Sequence, residues 1–209
     1  MNKTTIILLG ALIAIVAIYF IFVKSKNMSE NTTGASVAPL SMRPNDLKLI
    51  NDSLNKLYYN DTKKEYAIKA ARALKNAGLP LNKIAWSLAQ VAHETGHFSN
   101  KGSQVDNNLS GIKYVGKPIQ DATPGSAAPA REGKTPYAHF KNIDAWAKDY
   151  IRILTTVGKA RPLEATTTDE FAHRLGLNGY YGLDHDGEKI YKNAIRSLSK
   201  SFETLAKLA

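Results

Sequence analysis

The sequence predicts a mainly helical domain with a small, irregular β-hairpin insertion, preceded by an N-terminal transmembrane helix. Apolar residues recur at helical spacing through most of residues 45–209. Residues 98–136 interrupt this pattern, because they are rich in Gly, Pro, Asn and Ser and contain only short apolar pieces. Ahead of the domain, residues 6–23 carry no charge. We therefore divide the chain into an anchor, residues 1–26, a flexible linker, residues 27–44, and a folded domain.

The apolar run at residues 6–23 is about long enough to cross a bilayer core as a helix. Tyr19 and Phe20 lie towards one end, where aromatic rings favour the membrane interface. A cleaved signal peptide is the alternative, but its apolar region is usually shorter and ends at small residues, whereas this run ends at Val23. We expect an uncleaved anchor, followed by a polar tether at residues 27–44.

Composition restricts the chemistry without choosing a function. The chain has 209 residues and no cysteine, which excludes disulfide bonds and thiolate nucleophiles or ligands. Its formal net charge is +10, and a basic surface favours polyanions such as nucleic acid, anionic lipid or a bacterial wall rich in carboxylates and phosphates. Charge alone does not distinguish these partners.

The first three helices of the domain follow from spacing and from capping residues. A first helix begins near Asn45, and a capping box at residues 62–65 predicts the start of a second. Gly78 and Pro80 should end the second helix, and Asn82 can cap the third. The residues expected on the buried side of the third helix are Ile84, Ala85, Leu88, Val91 and Ala92.

Three further helices are expected after the irregular stretch. One runs from Ile143 to near Gly158 with Trp146 in the core, and a short one covers residues 168–175, capped by Thr168. The last covers residues 186–208. Its expected inward-facing residues are Ile190, Ala194, Ile195, Leu198, Phe202 and Leu205.

The pentapeptide His-Glu-Thr-Gly-His, residues 93–97, ends the third predicted helix. It matches H-E-x-x-H, in which two histidines one helical turn apart bind zinc and the glutamate acts as a base. The extended form of that motif fails, because Asn100 and Ser103 occupy its Gly and third His positions. Gly96 also makes a poor helix interior between two ligands. The other interpretation is a glutamate at the floor of a sugar-binding cleft.

The residues that follow favour the sugar-binding interpretation. Glu94 lies in Ala-His-Glu-Thr-Gly, and residues 107–113 read Asn-Asn-Leu-Ser-Gly-Ile-Lys. Residues 137–140 and 179–181 add Tyr-Ala-His-Phe and Gly-Tyr-Tyr in the expected order. Together they resemble the lysozyme-like glucosaminidases of glycoside hydrolase family 73, which include flagellar-rod peptidoglycan hydrolases and autolysins. The resemblance covers about residues 84–195 and implies a lysozyme-like α+β fold and hydrolysis of β-1,4 glycosidic bonds in peptidoglycan.

The resemblance assigns roles to particular residues. Glu94 matches the general acid of the family, and Tyr180 matches a tyrosine that lines the cleft. The loop-motif matches are Asn108, Gly111, Ile112 and Lys113, whereas Ser110 replaces the usual Phe. The sequence after Tyr180 also departs from the family pattern. The second carboxylate of the family is difficult to align, and Glu132 is its nearest counterpart, with Asp121 a weaker one.

Glycoside cleavage requires a proton on the leaving oxygen, which a carboxylic acid in a partly apolar pocket can supply at neutral pH. The apolar residues that precede Glu94 on its helix make such a pocket plausible. A second carboxylate about 6.5–9.5 Å away could activate water, or the acetamido oxygen of the substrate could attack instead. A muramidase, or a lytic transglycosylase that forms an anhydro sugar with one Glu, uses the same acid, and these alternatives stay open.

Sugar contacts are expected from aromatic and amide side chains. The candidate substrate-binding residues are Asn108, Tyr114, Tyr137, Tyr180 and Tyr181. For each tyrosine the alternative is core packing, and for Asn108 it is bracing of its own turn. We expect no metal, no cofactor and no nucleic acid partner. The expected partners are peptidoglycan glycan strands and, through residues 6–23, a membrane.

Two other function classes stay open from the sequence. One is a zinc peptidase that uses His93, Glu94 and His97, and the other is a non-catalytic wall-binding or virion module. For the leading hypothesis, the anchor would hold the catalytic domain, residues 45–209, against peptidoglycan. A bacterial inner membrane and the membrane of a phage virion would both provide this arrangement.

Overall fold

The structure is a computed structural model that describes residues 43–57, 60–117, 119–129, 133–181 and 185–209. These residues are mostly helical and include one small two-stranded sheet. None of the helices among them is both long and apolar enough to cross a bilayer. The predicted anchor at residues 6–23 and the candidate Glu132 lie outside the described residues.

The described elements follow the predicted order. They are α1 (Pro44–Asn55), α2 (Asp61–Asn76), α3 (Leu81–Glu94), α4 (Lys101–Val105), β1 (Ala122–Pro124), β2 (Ala138–Phe140), α5 (Ile143–Thr156), a 3₁₀ turn (Pro162–Glu164), α6 (Thr168–Leu177) and α7 (His185–Leu208). The long helices confirm the sequence prediction. The five-residue α4 was not predicted, because it is too short to show a helical period.

Helix α3 is the central element, and it packs against α2 and along α7. Ile84, Leu88 and Val91 are fully buried, as their spacing predicts. Ser87 and Gln90 are also fully buried, so α3 carries polar groups inside the core. A helix enclosed in this way is held rigidly, and its C-terminal residue is correspondingly well positioned.

Three predicted helix caps are wrong. Thr167, rather than the predicted Thr168, caps α6 by accepting from the Glu170 N–H at 3.1 Å. The Asn60 side chain caps α2 by accepting from the Thr62 N–H at 2.7 Å, so the helix begins before the predicted capping box. Asn is at least as good an N-cap residue as Thr, which explains the preference. Pro80 precedes α3 without any side-chain cap, and Asn82 lies inside its first turn.

The hairpin region comprises the described residues of the segment 100–140. Strands β1 and β2 pair antiparallel, with Ala122 opposite Phe140. On the other side of β2, Lys113 forms an isolated antiparallel bridge with Tyr137. The predicted hairpin is therefore present, although its second strand lies beyond the predicted insertion, which ended at residue 136.

The inward face of α7 differs from the prediction at one important position. Ile190 is 67% exposed, whereas the adjacent Tyr191 is 4% exposed. Tyr191 is in phase with the fully buried Ile195 and Phe202, which are four and eleven residues later. The predicted inward position of Ile190 is therefore wrong, because Tyr191 and not Ile190 is in phase with these two buried residues.

Candidate active site

Glu94 is the last residue of α3, and the chain turns sharply after it. The Thr95 hydroxyl donates to the Val91 carbonyl at 2.6 Å and accepts from the Phe98 N–H at 2.9 Å. Gly96, His97 and Phe98 have φ angles of 58°, 60° and 61°, so three consecutive residues are left-handed. This turn stops the helix at the carboxylate and directs the following chain away from the helix axis.

The same turn removes the helical spacing on which the zinc alternative depends. His93 lies on the last turn of α3, but His97 lies beyond the helix with left-handed backbone. The two imidazoles therefore do not share one helical face, as H-E-x-x-H ligands do. Within the described residues, no group of three His, Asp or Glu side chains is arranged to hold a metal ion.

The Glu94 side chain is exposed, yet nearby protein atoms remove water from its carboxyl group. This desolvation raises the pKa of Glu94 above its ordinary value. A hydrogen bond from Tyr191 and the charge on His93 lower the pKa by less. The carboxyl group can consequently hold its proton at a higher pH than a surface glutamate does.

Four tyrosines, Tyr150, Tyr180, Tyr181 and Tyr191, form what we call the tyrosine cluster. The Tyr191 hydroxyl donates to Oε1 of Glu94 at 2.9 Å. Its ring stacks on Tyr181, with centroids 4.1 Å apart and planes inclined by 22°. The Tyr181 hydroxyl donates to the Ala172 carbonyl at 2.9 Å, which ties the stack to α6.

The phenols of the cluster stay protonated beside Glu94. Burial raises the pKa of Tyr150, Tyr180 and Tyr191, and the negative charge of Glu94 raises each of them further. Burial also raises the pKa of Tyr181 to about 12. The groups around Glu94 are therefore neutral rings and hydroxyl donors rather than competing anions.

Tyr150 lies in the core and hydrogen-bonds a residue of α3. It is fully buried, and its hydroxyl donates to Oε1 of Gln90 at 2.7 Å. Gln90 lies one helical turn before Glu94. Trp146 stacks near Tyr150 at 5.2 Å and is itself fully buried, which confirms its predicted place in the core.

Asn108 braces the loop that follows α4. Its Nδ2 donates to the carbonyls of Ile112 at 2.8 Å and Ala138 at 3.0 Å, and its Oδ1 accepts from the Ile112 N–H at 2.9 Å. The residue is 1% exposed. This is the bracing alternative that the sequence left open, and it occupies both amide hydrogens.

Two further buried hydrogen bonds join the loop to α5. The Trp146 indole donates to the Ser110 hydroxyl at 3.0 Å, so Ser110, which departs from the family pattern, has a specific partner. Gln120 donates to Asp149 at 2.8 Å and to the Lys113 carbonyl at 3.2 Å. The loop thus has a defined position relative to the helices.

Tyr114 and Tyr137 are half-buried residues of the hairpin region, whereas Tyr180 and Tyr181 belong to the tyrosine cluster next to Glu94. The Lys113 ammonium lies over the Tyr137 ring at 3.9 Å, which covers one face of that ring. The five predicted sugar-contacting residues therefore divide between two parts of the structure.

Asp121, the weaker candidate for a second carboxylate, is exposed and pairs with Lys141 at 2.8 Å. The hydrogen bond from Lys141 lowers the pKa of Asp121, which favours its carboxylate form. A separate buried carboxylate, Asp106, contacts His139 at 3.2 Å and accepts from the Ser126 N–H at 3.2 Å. Asp106 thereby joins the end of α4 to both sides of the hairpin.

Tyr191 is the residue of this site that the sequence prediction missed. Its signal was present, because it shares a helical face with Ile195 and Phe202. A tyrosine in a core-facing position near a helix start also needs a partner for its hydroxyl. Glu94, 97 positions earlier in the chain, provides that partner.

No protein-family model and no curated protein matches this chain. Three solved structures are similar to it. A type VI secretion system effector-immunity complex from Pseudomonas protegens has a TM-score of 0.46 and 19% identity over 74% of this chain and 97% of that one. The catalytic domain of the autolysin Auto from Listeria monocytogenes has a TM-score of 0.44 and 17% identity, and the match covers 86% of this chain and 100% of that domain. A C-terminally truncated glycoside hydrolase domain of FlgJ from Salmonella typhimurium has a TM-score of 0.43 and 20% identity, and the match covers 73% of this chain and 97% of that domain. These scores are low, and the similarities identify neither a family nor a function.

Proposed function

We propose that this chain cleaves β-1,4 glycosidic bonds of peptidoglycan, as an endo-β-N-acetylglucosaminidase, with Glu94 as the general acid. The observation that carries the proposal is the position of Glu94, an exposed residue at the end of a buried helix whose carboxyl group contacts the buried Tyr191. Desolvation at this position raises the pKa of Glu94. A general acid for a glycosidic oxygen needs this combination of access and retained proton.

The tyrosine cluster supports the same chemistry. Neutral phenols exclude water from Glu94 without adding negative charge, so they favour its protonated form. Tyr180 and Tyr181 are only partly buried, and their rings can offer apolar faces to the CH groups of a sugar. We propose them as substrate contacts, together with Tyr114 and Tyr137 in the hairpin region.

Glu132 is our proposed second carboxylate. Asp121, the other candidate, is engaged with Lys141 at 2.8 Å. With Glu132 acting as a base on water, the reaction would invert the anomeric centre. If Glu132→Gln keeps full activity, the acetamido oxygen of the substrate is the proposed nucleophile instead.

We also propose that residues 6–23 anchor the enzyme in a membrane, with the catalytic domain facing peptidoglycan. The support is the length of the uncharged run. Fractionation of cells that express the full chain, or a chain starting at residue 27, tests this. The full chain should sediment with membranes after a high-salt wash, and recovery of both chains in the supernatant would contradict the anchor.

The acid is tested with Glu94→Gln in a turbidity assay on purified bacterial walls. Gln keeps the shape and can still accept from Tyr191, but it has no proton to donate, so clearing should fall by at least about 10²-fold. The matched control is Glu65→Gln, at a glutamate paired with Lys69 on α2 and 61% exposed. Equal clearing by the Glu94 variant and the wild type would exclude Glu94 as the acid.

Mass analysis of the released fragments distinguishes the remaining alternatives. Reducing GlcNAc ends support the proposed bond, reducing MurNAc ends indicate a muramidase, and anhydro-MurNAc ends indicate a lytic transglycosylase. Loss of clearing with EDTA, restored by zinc, would contradict the glycosidase proposal. Wall binding without any fragments would indicate the non-catalytic module.

A further inference from the structure

We infer that Tyr191 is a positioning residue whose hydroxyl holds Oε1 of Glu94 and leaves Oε2 to face a substrate. The 2.9 Å bond between the two side chains is the first support. The inference rests on the proposed function in one respect, because it takes Glu94 as the acid. Nothing in the sequence resemblance assigned a role to Tyr191.

The Tyr191 ring is fixed by contacts on more than one side. It stacks on Tyr181 at 4.1 Å and meets the His93 ring edge-on, at 5.0 Å and 89°. Tyr181 is held in turn by its bond to the Ala172 carbonyl. A phenol fixed in this way donates along one direction, so it also fixes the orientation of the carboxyl group that accepts from it.

Tyr191 is too buried to serve as a substrate contact. It is 4% exposed, and it projects from the inward face of α7, the helix that runs along α3. Its hydroxyl can therefore act on the reaction only through Glu94. This separates it from Tyr180 and Tyr181, which are partly exposed residues.

The charged and titratable groups near Glu94 come from several elements. Tyr191 lies on α7, His93 on α3, Tyr150 on α5, and Tyr180 follows α6. Tyr191 is the one whose hydrogen bond lowers the pKa of Glu94. Removing the Tyr191 hydroxyl should therefore raise the Glu94 pKa further, because desolvation would then act with less opposition.

The consequence for catalysis has a definite sign. A general acid must be protonated, so activity falls as pH rises through its pKa. In Tyr191→Phe this alkaline limb should move up by about one pH unit, because a hydrogen bond to a charged group is lost. The plateau kcat should also fall about ten-fold through poorer orientation, while KM changes little.

The direct test is an NMR titration of the Glu94 side-chain carbon in the full chain, in detergent solution. The Glu94 signal is assigned by its loss in Glu94→Gln. In Tyr191→Phe its midpoint should rise by about one pH unit. The matched control is Tyr66→Phe on α2, whose ring lies under the Lys69 ammonium at 5.9 Å, and it should leave the midpoint unchanged.

A second measurement needs no variant at position 191 and guards against loss of folding. With tyrosine labelled at the ring carbon that bears the hydroxyl, the Tyr191 signal of the unaltered chain should shift as Glu94 titrates. The shift should vanish in Glu94→Gln. A Tyr191 signal that ignores the Glu94 titration, or an unchanged Glu94 midpoint in Tyr191→Phe, would overturn the inference.

The two proposals fail in different ways. If the midpoint moves in Tyr191→Phe but the unaltered chain releases no glycan fragments, the positioning stands and the proposed function is wrong. If fragments appear, and both the Glu94 midpoint and the alkaline limb stay where they were, the function stands and the positioning is wrong. A uniform loss of activity at every pH would mark a merely structural role for Tyr191.

Discussion

The helical part of the molecule and the hairpin region are held together in different ways. The helices share a continuous apolar core, in which residues such as Leu88, Trp146 and Phe202 are fully buried. The hairpin region contributes Leu109, Ile112 and Phe140 to the same core, and it also depends on buried polar side chains that bond to backbone groups. Asn108 and Asp106 are the main ones, at 1% and 2% exposure.

The difference teaches how a mainly helical domain can carry an irregular insertion. Apolar packing is not directional, so helices can be placed by spacing alone. A segment with little regular structure must satisfy its backbone groups one at a time, and short polar side chains do this at fixed geometry. The helical part should therefore respond to lost volume, and the hairpin region to lost hydrogen bonds.

The largest expected effect is in the apolar core. Phe202→Ala should lower the free energy of unfolding by about 3–5 kcal/mol, because it removes a fully buried ring that meets Phe98 edge-on at 6.4 Å. Urea unfolding measures the change. Ile190→Ala is the control on the same helix, since Ile190 is 67% exposed, and its effect should stay within about 0.5 kcal/mol. A larger loss of stability in Ile190→Ala than in Phe202→Ala would show that the buried face of α7 is assigned wrongly.

The second effect tests the hairpin region. Asn108→Ala leaves the Ile112 N–H and the Ala138 carbonyl without the amide that they contact, and should cost about 2 kcal/mol. Hydrogen exchange at the Ile112 amide should speed up more than exchange in the middle of α3. Asn55→Ala, at the exposed end of α1, serves as the control. An equal increase of hydrogen exchange in the hairpin region and in α3 would show that the two regions are not stabilised in different ways.

The smallest effect concerns acid sensitivity. Burial raises the pKa of Asp106, but hydrogen bonds from Ser126 and His139 outweigh it and hold the pKa below the ordinary value of 3.8. The stabilisation from Asp106 is therefore complete above pH 3.8 and is lost as pH falls through the lower, folded-state pKa. Asp106→Asn should reduce this acid-induced loss of stability. Thermal unfolding, recorded at a series of pH values from neutral to pH 2, measures the difference between the variant and the wild type.

The control for that comparison is Asp121→Asn, at the exposed pair with Lys141. A surface ion pair contributes little to stability, so this variant should retain nearly all of the acid-induced loss. If both variants behaved alike, the burial of Asp106 would be irrelevant to its effect, and the contrast between the two regions would weaken.

The sequence predicted the helices better than it predicted the contacts that join them. Periodicity located α3, α5 and α7 because burial of one face repeats along each of them. Helix caps were less predictable, because each depends on the hydrogen bond of a single short side chain. Asn60, rather than Thr62, makes this bond at the start of α2. The prediction that Ile190 faces inward shows that a one-residue error in phase exchanges a surface position for Tyr191, the residue that hydrogen-bonds Glu94.

Within the candidate site, Glu94 was chosen from the motifs that surround it in the sequence, and its role as the acid stays a prediction. The partners of Asn108 and Asp106 were not predictable, because Ala138 and Ser126 lie 30 and 20 positions further along. The spacing of residues within one segment does not indicate which distant backbone group a side chain of that segment will contact. The same reason explains why Ser110, a departure from the family pattern, gave no hint of its bond to Trp146.

The left-handed turn after Glu94 has a consequence for how such a chain can evolve. His97 and Phe98 adopt φ angles of 60° and 61°, a conformation that costs a residue with a Cβ on the order of 1 kcal/mol. Glycine at position 97 would relieve that cost and would also loosen the peptide that fixes the end of α3. Selection for stability and selection for a fixed position of Glu94 would therefore act in opposite directions on this codon.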